Sequence, residues 1–146
     1  MVAALDMDLH QMDTPSAYLN GEVEKEIYVE QPEGFIKPGD EDLVCRLNKG
    51  LYGTKQAGNI WNKKFATVIV EQSGYRRLTA DRSVFMKRTT KGLTYVFVHV
   101  DDEIISSNDL EEVTRLKKTL GDAFKMKYLG FPVFFLGMEI NQNREQ

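Results

Sequence analysis

Three consecutive carboxylates carry the chemistry this sequence could do. Asp101, Asp102 and Glu103 follow His99-Val100 and precede Ile104-Ile105, so strand-forming residues flank the acids on both sides. An Asp-Asp pair at the centre is short enough to be the turn of a hairpin. That sets two carboxylates at an exposed tip, with Glu103 as a third acid beside them. Three acids in a row repel one another, and a divalent cation would relieve the repulsion. Hard carboxylate oxygens suit Mg²⁺, typically held by one or two carboxylates together with substrate phosphates. The plainer reading is a solvated turn, because Asp is common in turns. From the segment alone the solvated turn is the favoured reading.

The elements that must position these acids can be read from apolar spacing. Leu9 to Thr14 is a short strand candidate, with Pro15 against its continuation. Asn20-Gly21 signals a turn, and Ile27 to Val29 and Leu43 to Leu47 are short strands. Between them, Pro32, Gly34, Pro38 and Gly39 mark a loop. Thr54 is a candidate cap for a helix reaching about Gln72, with Ile60, Trp61, Phe65, Val68 and Ile69 at helical spacing. Ser83 to Arg88 and Leu93 to Val98 read as strands around a turn. The stretch Leu93 to Val100 is almost continuously apolar or aromatic, as expected of a strand buried on both faces. Asp109 with Glu112 resembles a capping box. Behind it Leu110, Val113, Leu116, Leu120 and Phe124 form one stripe. Lys125 to Leu129 and Phe134 to Ile140 are the last strand candidates. This order predicts an α+β fold, a mainly antiparallel sheet with helices packed on one face.

The chain has 146 residues, enough for one domain, and is 42% hydrophobic and 28% charged, which fits a globular chain rather than a disordered one. Its net charge of -3 is unusual for a nucleic-acid enzyme, whose phosphate contacts normally show as a basic surface. Lys49, Lys55, Lys63 and Lys64 cluster around the Gly50 to Gly53 turn and the helix start. They could meet phosphates, or simply form a solvated face. One cysteine, Cys45, permits no internal disulfide. Two histidines and one cysteine make no zinc constellation. No apolar run is long enough to span a bilayer and no signal peptide is visible. The expectation is a soluble intracellular protein with no membrane partner.

Four blocks in order supply the missing second feature. Gln11-Met12-Asp13 leads to Ala17-Tyr18-Leu19-Asn20-Gly21 and Ile27-Tyr28-Val29-Glu30-Gln31-Pro32-Glu33-Gly34-Phe35. Leu51-Tyr52-Gly53-Thr54-Lys55-Gln56-Ala57 comes next, followed by Trp61. Then come Val100-Asp101-Asp102, and lastly Phe124 to Gly130 with Phe135-Leu136-Gly137-Met138-Glu139-Ile140. This pattern resembles the palm of copia-type retrotransposon reverse transcriptases over nearly the whole chain.

The resemblance implies an RNA-directed DNA polymerase. Asp13, Asp101 and Asp102 would be the catalytic, metal-binding residues, holding two Mg²⁺ (or Mn²⁺) ions. It places Tyr18 under the incoming nucleotide's sugar, where it would help exclude a 2′-hydroxyl. It places Tyr52, Gly53 and Lys55 near the nucleotide and template. The implied partners are an RNA or DNA template with its primer, and deoxynucleoside triphosphates. In such chemistry two metals about 3.5–4 Å apart stabilise the attacking and leaving oxygens, and the protein adds mainly position and electrostatics. Residues 1–146 would be a partial reverse transcriptase domain. The fingers start, thumb, ribonuclease H, integrase and protease would lie elsewhere in a polyprotein, and this stretch alone is expected to show no primer extension.

Several positions depart from that pattern. Thr14-Pro15 replaces the usual Val-Lys, His99 stands where a tyrosine or other large apolar or aromatic residue is usual, and Glu103 replaces a usually apolar residue. His99 could weaken metal binding when protonated, or its ring could simply pack near the hairpin. Trp61 could stack on a base, although burial suits its helical spacing better. Lys127 falls in the last block and could approach the triphosphate. Two other functions compete with catalysis: an inactive retrotransposon remnant, or a nucleic-acid- or protein-binding module reusing the palm.

Overall fold

The computed structural model describes residues 2–143. Its centre is a six-stranded sheet built from β1 (Asp8–Asp13), β4 (Arg76–Arg77), β5 (Val84–Arg88), β6 (Leu93–His99), β7 (Asp102–Ser107) and β8 (Lys127–Gly130). The spatial order is β4-β5-β6-β7-β1-β8, and every neighbouring pair is antiparallel. The first strand of the chain therefore lies inside the sheet, between β7 and β8. Two short pairs stand apart from it, β2 (Tyr28–Glu30) with β3 (Val44–Arg46), and β9 (Phe134–Phe135) with β10 (Met138–Glu139).

Two helices cover one face, α1 (Ala57–Thr67) and α2 (Leu110–Phe124). Their apolar stripes meet the sheet in one core of Met12, Trp61, Phe65, Ile69, Phe85, Val96, Val98, Ile105, Val113, Leu116, Leu120 and Phe124. Rings dominate its centre. Trp61 meets Phe124 edge-on with centroids 4.9 Å apart, and Phe65 stacks on Phe124 at 5.8 Å. Aromatic pairs in these arrangements add to area burial, about 0.5–1.5 kcal/mol each. The α+β architecture with helices on one face is the one expected.

Details differ for identifiable reasons. The helix expected from Thr54 begins at Ala57, because Thr54 turns its hydroxyl back to the Leu51 carbonyl at 2.8 Å and Gly53 sits at φ +88°. Its last stretch, Val68–Gln72, is a π turn rather than α-helix. β6 is not buried on both faces. Thr94, Val96 and Val98 point into the core while Leu93, Tyr95 and Phe97 stay half-buried, the alternation of a sheet with helices on one side. Leu110 leaves the predicted stripe and is 58% exposed at the first turn of α2. Asp109 caps that helix, accepting from the Glu112 amide at 3.1 Å. The Glu112 side chain does not close the box, pairing instead with Lys87 at 2.8 Å and Arg115 at 2.7 Å. The predicted strand at Lys125 starts two residues later, because Lys125 takes a left-handed cap conformation at φ +54°.

The segment between β1 and α1 is held close to α1. A Cβ on Gly21 would stand 2.3 Å from the Ile60 Cγ2, and one on Gly50 would stand 2.7 Å from the Tyr18 carbonyl oxygen. Both glycines are needed for close approach, and Gly21 has an ordinary φ of -93°. This contact presses the 3₁₀ turn Ala17–Asn20 against the helix and carries Tyr18 toward the acid end of the sheet.

Candidate active site

The turn between β6 and β7 is Val100-Asp101, one residue earlier than the Asp-Asp turn expected from sequence. His99 and Asp102 are the last register pair. A two-residue loop this tight needs a left-handed residue, a position glycine usually fills. Here Val100 takes it, at φ +54°. Such a conformation costs a β-branched residue on the order of 1–3 kcal/mol and persists only where surroundings enforce it. The enforcing contact is Trp61, whose buried indole Nε1 donates to the Val100 carbonyl at 2.7 Å. Trp61 is therefore a core residue, as its spacing suggested, and also the prop under the acidic loop.

Register then sorts the acids by face. Asp102 is paired with Asp13 on one side and His99 on the other. Lys127 is the partner of Asp13 on β8. Directly paired residues share a face, so His99, Asp102, Asp13 and Lys127 form a row across four strands. That row lies on the face without helices. Glu103, one residue on, takes the opposite side with its partners Met12 and Val98. It is fully buried, not at an exposed tip.

Burial pushes the Glu103 carboxyl up to about 9, reinforced by the negative charges of Asp102, Asp13 and Asp101 and opposed by the hydroxyl of Thr14. That hydroxyl donates to Glu103 Oε1 at 2.8 Å. Alternation along a strand, applied to the sequence, already separates Glu103 from Asp102. Its partner Thr14 gave no signal beyond being a departure from the family pattern.

Asp101 lies in the loop, half-buried. Both its carboxylate oxygens are within reach of the Tyr52 hydroxyl, at 2.8 and 2.9 Å. Tyr52 in turn packs on Tyr18, with ring centroids 4.4 Å apart. Burial and the bond to Asp101 push the Tyr52 phenol above its ordinary range. The structure thus pairs Asp13 with Asp102, and separately joins Asp101 to Tyr52 and Tyr52 to Tyr18. Gly53, the next residue, holds the left-handed corner of its loop, and Lys55 is exposed beyond it.

The donor set fits a hard divalent cation in chemistry, being carboxylate oxygens on an accessible face. Among the described residues, however, no three His, Cys, Asp or Glu side chains converge as a ready-made metal cluster. Among the described residues, no helix is long and apolar enough to cross a membrane.

An antiparallel sheet with helices on one face and acids from remote strands on the other defines a class that polymerase palms share. The comparisons agree. The family model described as reverse transcriptase (RNA-dependent DNA polymerase) matches residues 1–146. A retrovirus-related Pol polyprotein from transposon TNT 1-94 of Nicotiana tabacum is 39% identical over 145 residues, covering 99% of this chain and 11% of that protein. A putative transposon Ty5-1 protein of Saccharomyces cerevisiae is 33% identical, covering 90% of this chain and 42% of its own length. A Pol polyprotein from transposon RE2 of Arabidopsis thaliana is also 33% identical, with 90% and 9% covered. No solved structure matches. The chain belongs to the reverse transcriptase (RNA-dependent DNA polymerase) family, in its copia-type retrotransposon branch. It spans between about a tenth and two fifths of the length of these relatives.

Proposed function

We propose that this domain provides the nucleotidyl-transfer site of an RNA-directed DNA polymerase within a retrotransposon Pol polyprotein. One observation carries the reading: Asp13 and Asp102, far apart in sequence, are direct register partners, with Asp101 in the loop beside them. Asp13, Asp101 and Asp102 would hold two Mg²⁺ or Mn²⁺ ions, with substrate phosphates supplying further oxygens. When bound, the pair of ions supplies charge stabilisation at the attacking 3′-oxygen and the leaving pyrophosphate oxygen.

The chain's own residues do the positioning. β1 and β7 set the two facing carboxylates, Trp61 fixes the loop that carries Asp101, and Glu103 stays out of the accessible row. Tyr52 bonds Asp101 and packs on Tyr18, so Tyr18 would underlie the nucleotide sugar close to the acids, while Tyr52, Gly53 and Lys55 would lie near the nucleotide and template. The partners are a primed RNA or DNA template, deoxynucleoside triphosphates, and the remaining Pol domains.

A second reading, a binding module without catalysis, has one observation in its favour. Asp101 is engaged by Tyr52 rather than converging with Asp13 and Asp102. Primer extension on an RNA template with Mg²⁺ or Mn²⁺ separates the two, using this domain within its longer polypeptide. Asp101→Asn is expected to lower incorporation by on the order of 100-fold or more. Equal incorporation by wild type and variant would sink the metal assignment. Primer–template binding that Asp101→Asn leaves unchanged, with no extension by either protein, would support the module.

A further inference from the structure

We propose that Thr14 and Glu103 form a buried clasp that fixes Asp13 against the Asp101–Asp102 segment, making both of them positioning residues of the site. The proposal rests on the acid-site reading above for its purpose, but not for its geometry. β1 ends at Asp13, whose pairing with Asp102 is the last rung between β1 and β7. Beyond that rung the ladder has nothing left to hold the strands in place. Thr14 supplies two further bonds to the same hairpin. Its amide donates to the Asp101 carbonyl at 2.7 Å, and its hydroxyl donates to Glu103 Oε1 at 2.8 Å. The facing acids are thus bracketed, by the ladder on one side and the clasp on the other.

A reason for the bracket is visible in the charges. Asp13 and Asp102 are directly paired like charges, which destabilises the end of a strand pair. Fraying at that end would change the separation of the carboxylates. An apolar contact beneath them would resist loosely, because burial is not directional, whereas a hydrogen bond fixes distance and angle.

The clasp is a poor device for stability alone. Thr14 and Glu103 are both 0% exposed, among Met12 and Val98, where an apolar pair would pack. Glu103 Oε2 has no hydrogen-bond partner among the described groups, and such an atom carries a desolvation cost. Each of the two buried polar side chains finds its hydrogen bond in the other.

Residue-resolved amide hydrogen exchange on the full chain tests the clasp, with Thr14→Val, Thr14→Ser and the double variant Thr14→Val with Glu103→Val. Thr14→Val should speed exchange at residue 14 and residues 102–104 by about tenfold or more while leaving residues 94–97 unchanged. Thr14→Ser, which keeps the hydroxyl, should hold wild-type rates. The double variant should regain thermal stability relative to Thr14→Val without regaining that local protection. Unchanged exchange in Thr14→Val overturns the proposal. So does a double variant that recovers protection along with stability, since the pair would then be mere packing. If Thr14→Val does not fold, Glu103→Gln (which keeps an acceptor) against Glu103→Leu reads the same contrast.

Mn²⁺ affinity measured in parallel, with Asp101→Asn as control, tests the other layer. Weaker binding in Thr14→Val and wild-type binding in Thr14→Ser would support both layers. A wild-type chain that binds no Mn²⁺ counts against the acid-site reading, and exchange still decides the clasp.

Discussion

β6 and β7 have two ends, built on opposite principles. At one end, Thr94 and Ser107 share a hydroxyl hydrogen bond at 2.7 Å, Ser107 receives the Asp109 amide at 2.9 Å, and Asp109 accepts from Thr89 at 2.6 Å and from the Glu112 amide. That end turns polar residues into a closed network which starts α2. At the other end, two aspartates face each other, a valine sits in a glycine conformation, and a buried carboxyl keeps one oxygen without a hydrogen-bond partner among the described residues. The same strands are relaxed where they serve the fold and held under tension where they present acids. The contrast teaches where to expect function: strain is kept at a site only when surrounding structure enforces it.

Three probes test this contrast. Trp61→Ala should cost the most, about 3–5 kcal/mol from the emptied core. Trp61→Phe keeps most of the packing and removes the donor to Val100, which should cost about 1–3 kcal/mol. Chemical denaturation measures both. If Trp61→Phe leaves the environment of residues 99–102 untouched in an NMR spectrum, the loop does not depend on its prop.

The second probe is pH. The Glu103 carboxyl titrates near 9 when folded and near its ordinary value of 4.5 when unfolded, so between these values the folded chain holds the extra proton. Stability of the metal-free chain should therefore fall as pH rises from about 5 toward 9. Glu103→Gln removes that contribution, so its stability relative to wild type should increase with pH over the same window. Parallel Tm-versus-pH curves in chelator would contradict this.

The smallest effect belongs to the relaxed end. Asp109→Ala removes the cap of α2 and the bond to Thr89, and should lower Tm by a few degrees. It should leave Mn²⁺ binding and exchange near Asp102 at wild-type levels. An effect there would mean that the two ends are coupled through β7.

What the sequence disclosed follows the same division. The relaxed features were legible because they are local. The Asp109 cap and the apolar stripe from Val113 to Phe124 each rest on neighbouring residues, whereas the one-sided burial of β6, read from the sequence as burial on both faces, emerged only from the sheet. The acidic loop was legible as a hairpin, but its turn was misplaced by one residue, because a left-handed valine contradicts local preference and only the distant Trp61 stabilises it. The burial of Glu103 was deducible from alternation. Its partner was not, since Thr14 lies 89 positions away and no local pattern joins them. Asp13 became a site residue through the ordered blocks of the resemblance, and its register with Asp102 emerged only from the sheet. Lys127 falls in the last sequence block, and the sheet sets it opposite Asp13.

The two-residue loop at Val100-Asp101 also imposes a rule on how this gene can vary in length. Side chains in β7 alternate with a period of two, so a one-residue insertion or deletion that slipped its register would exchange the faces of Asp102 and Glu103. The buried acid would emerge and the presented one would be driven into the apolar core. Codon-sized indels between positions 99 and 103 should thus be lethal to the site even when the altered residues are chemically mild. The proline- and glycine-rich stretch at positions 31–42, outside the large sheet, has no such parity to keep, and length differences among relatives should collect there.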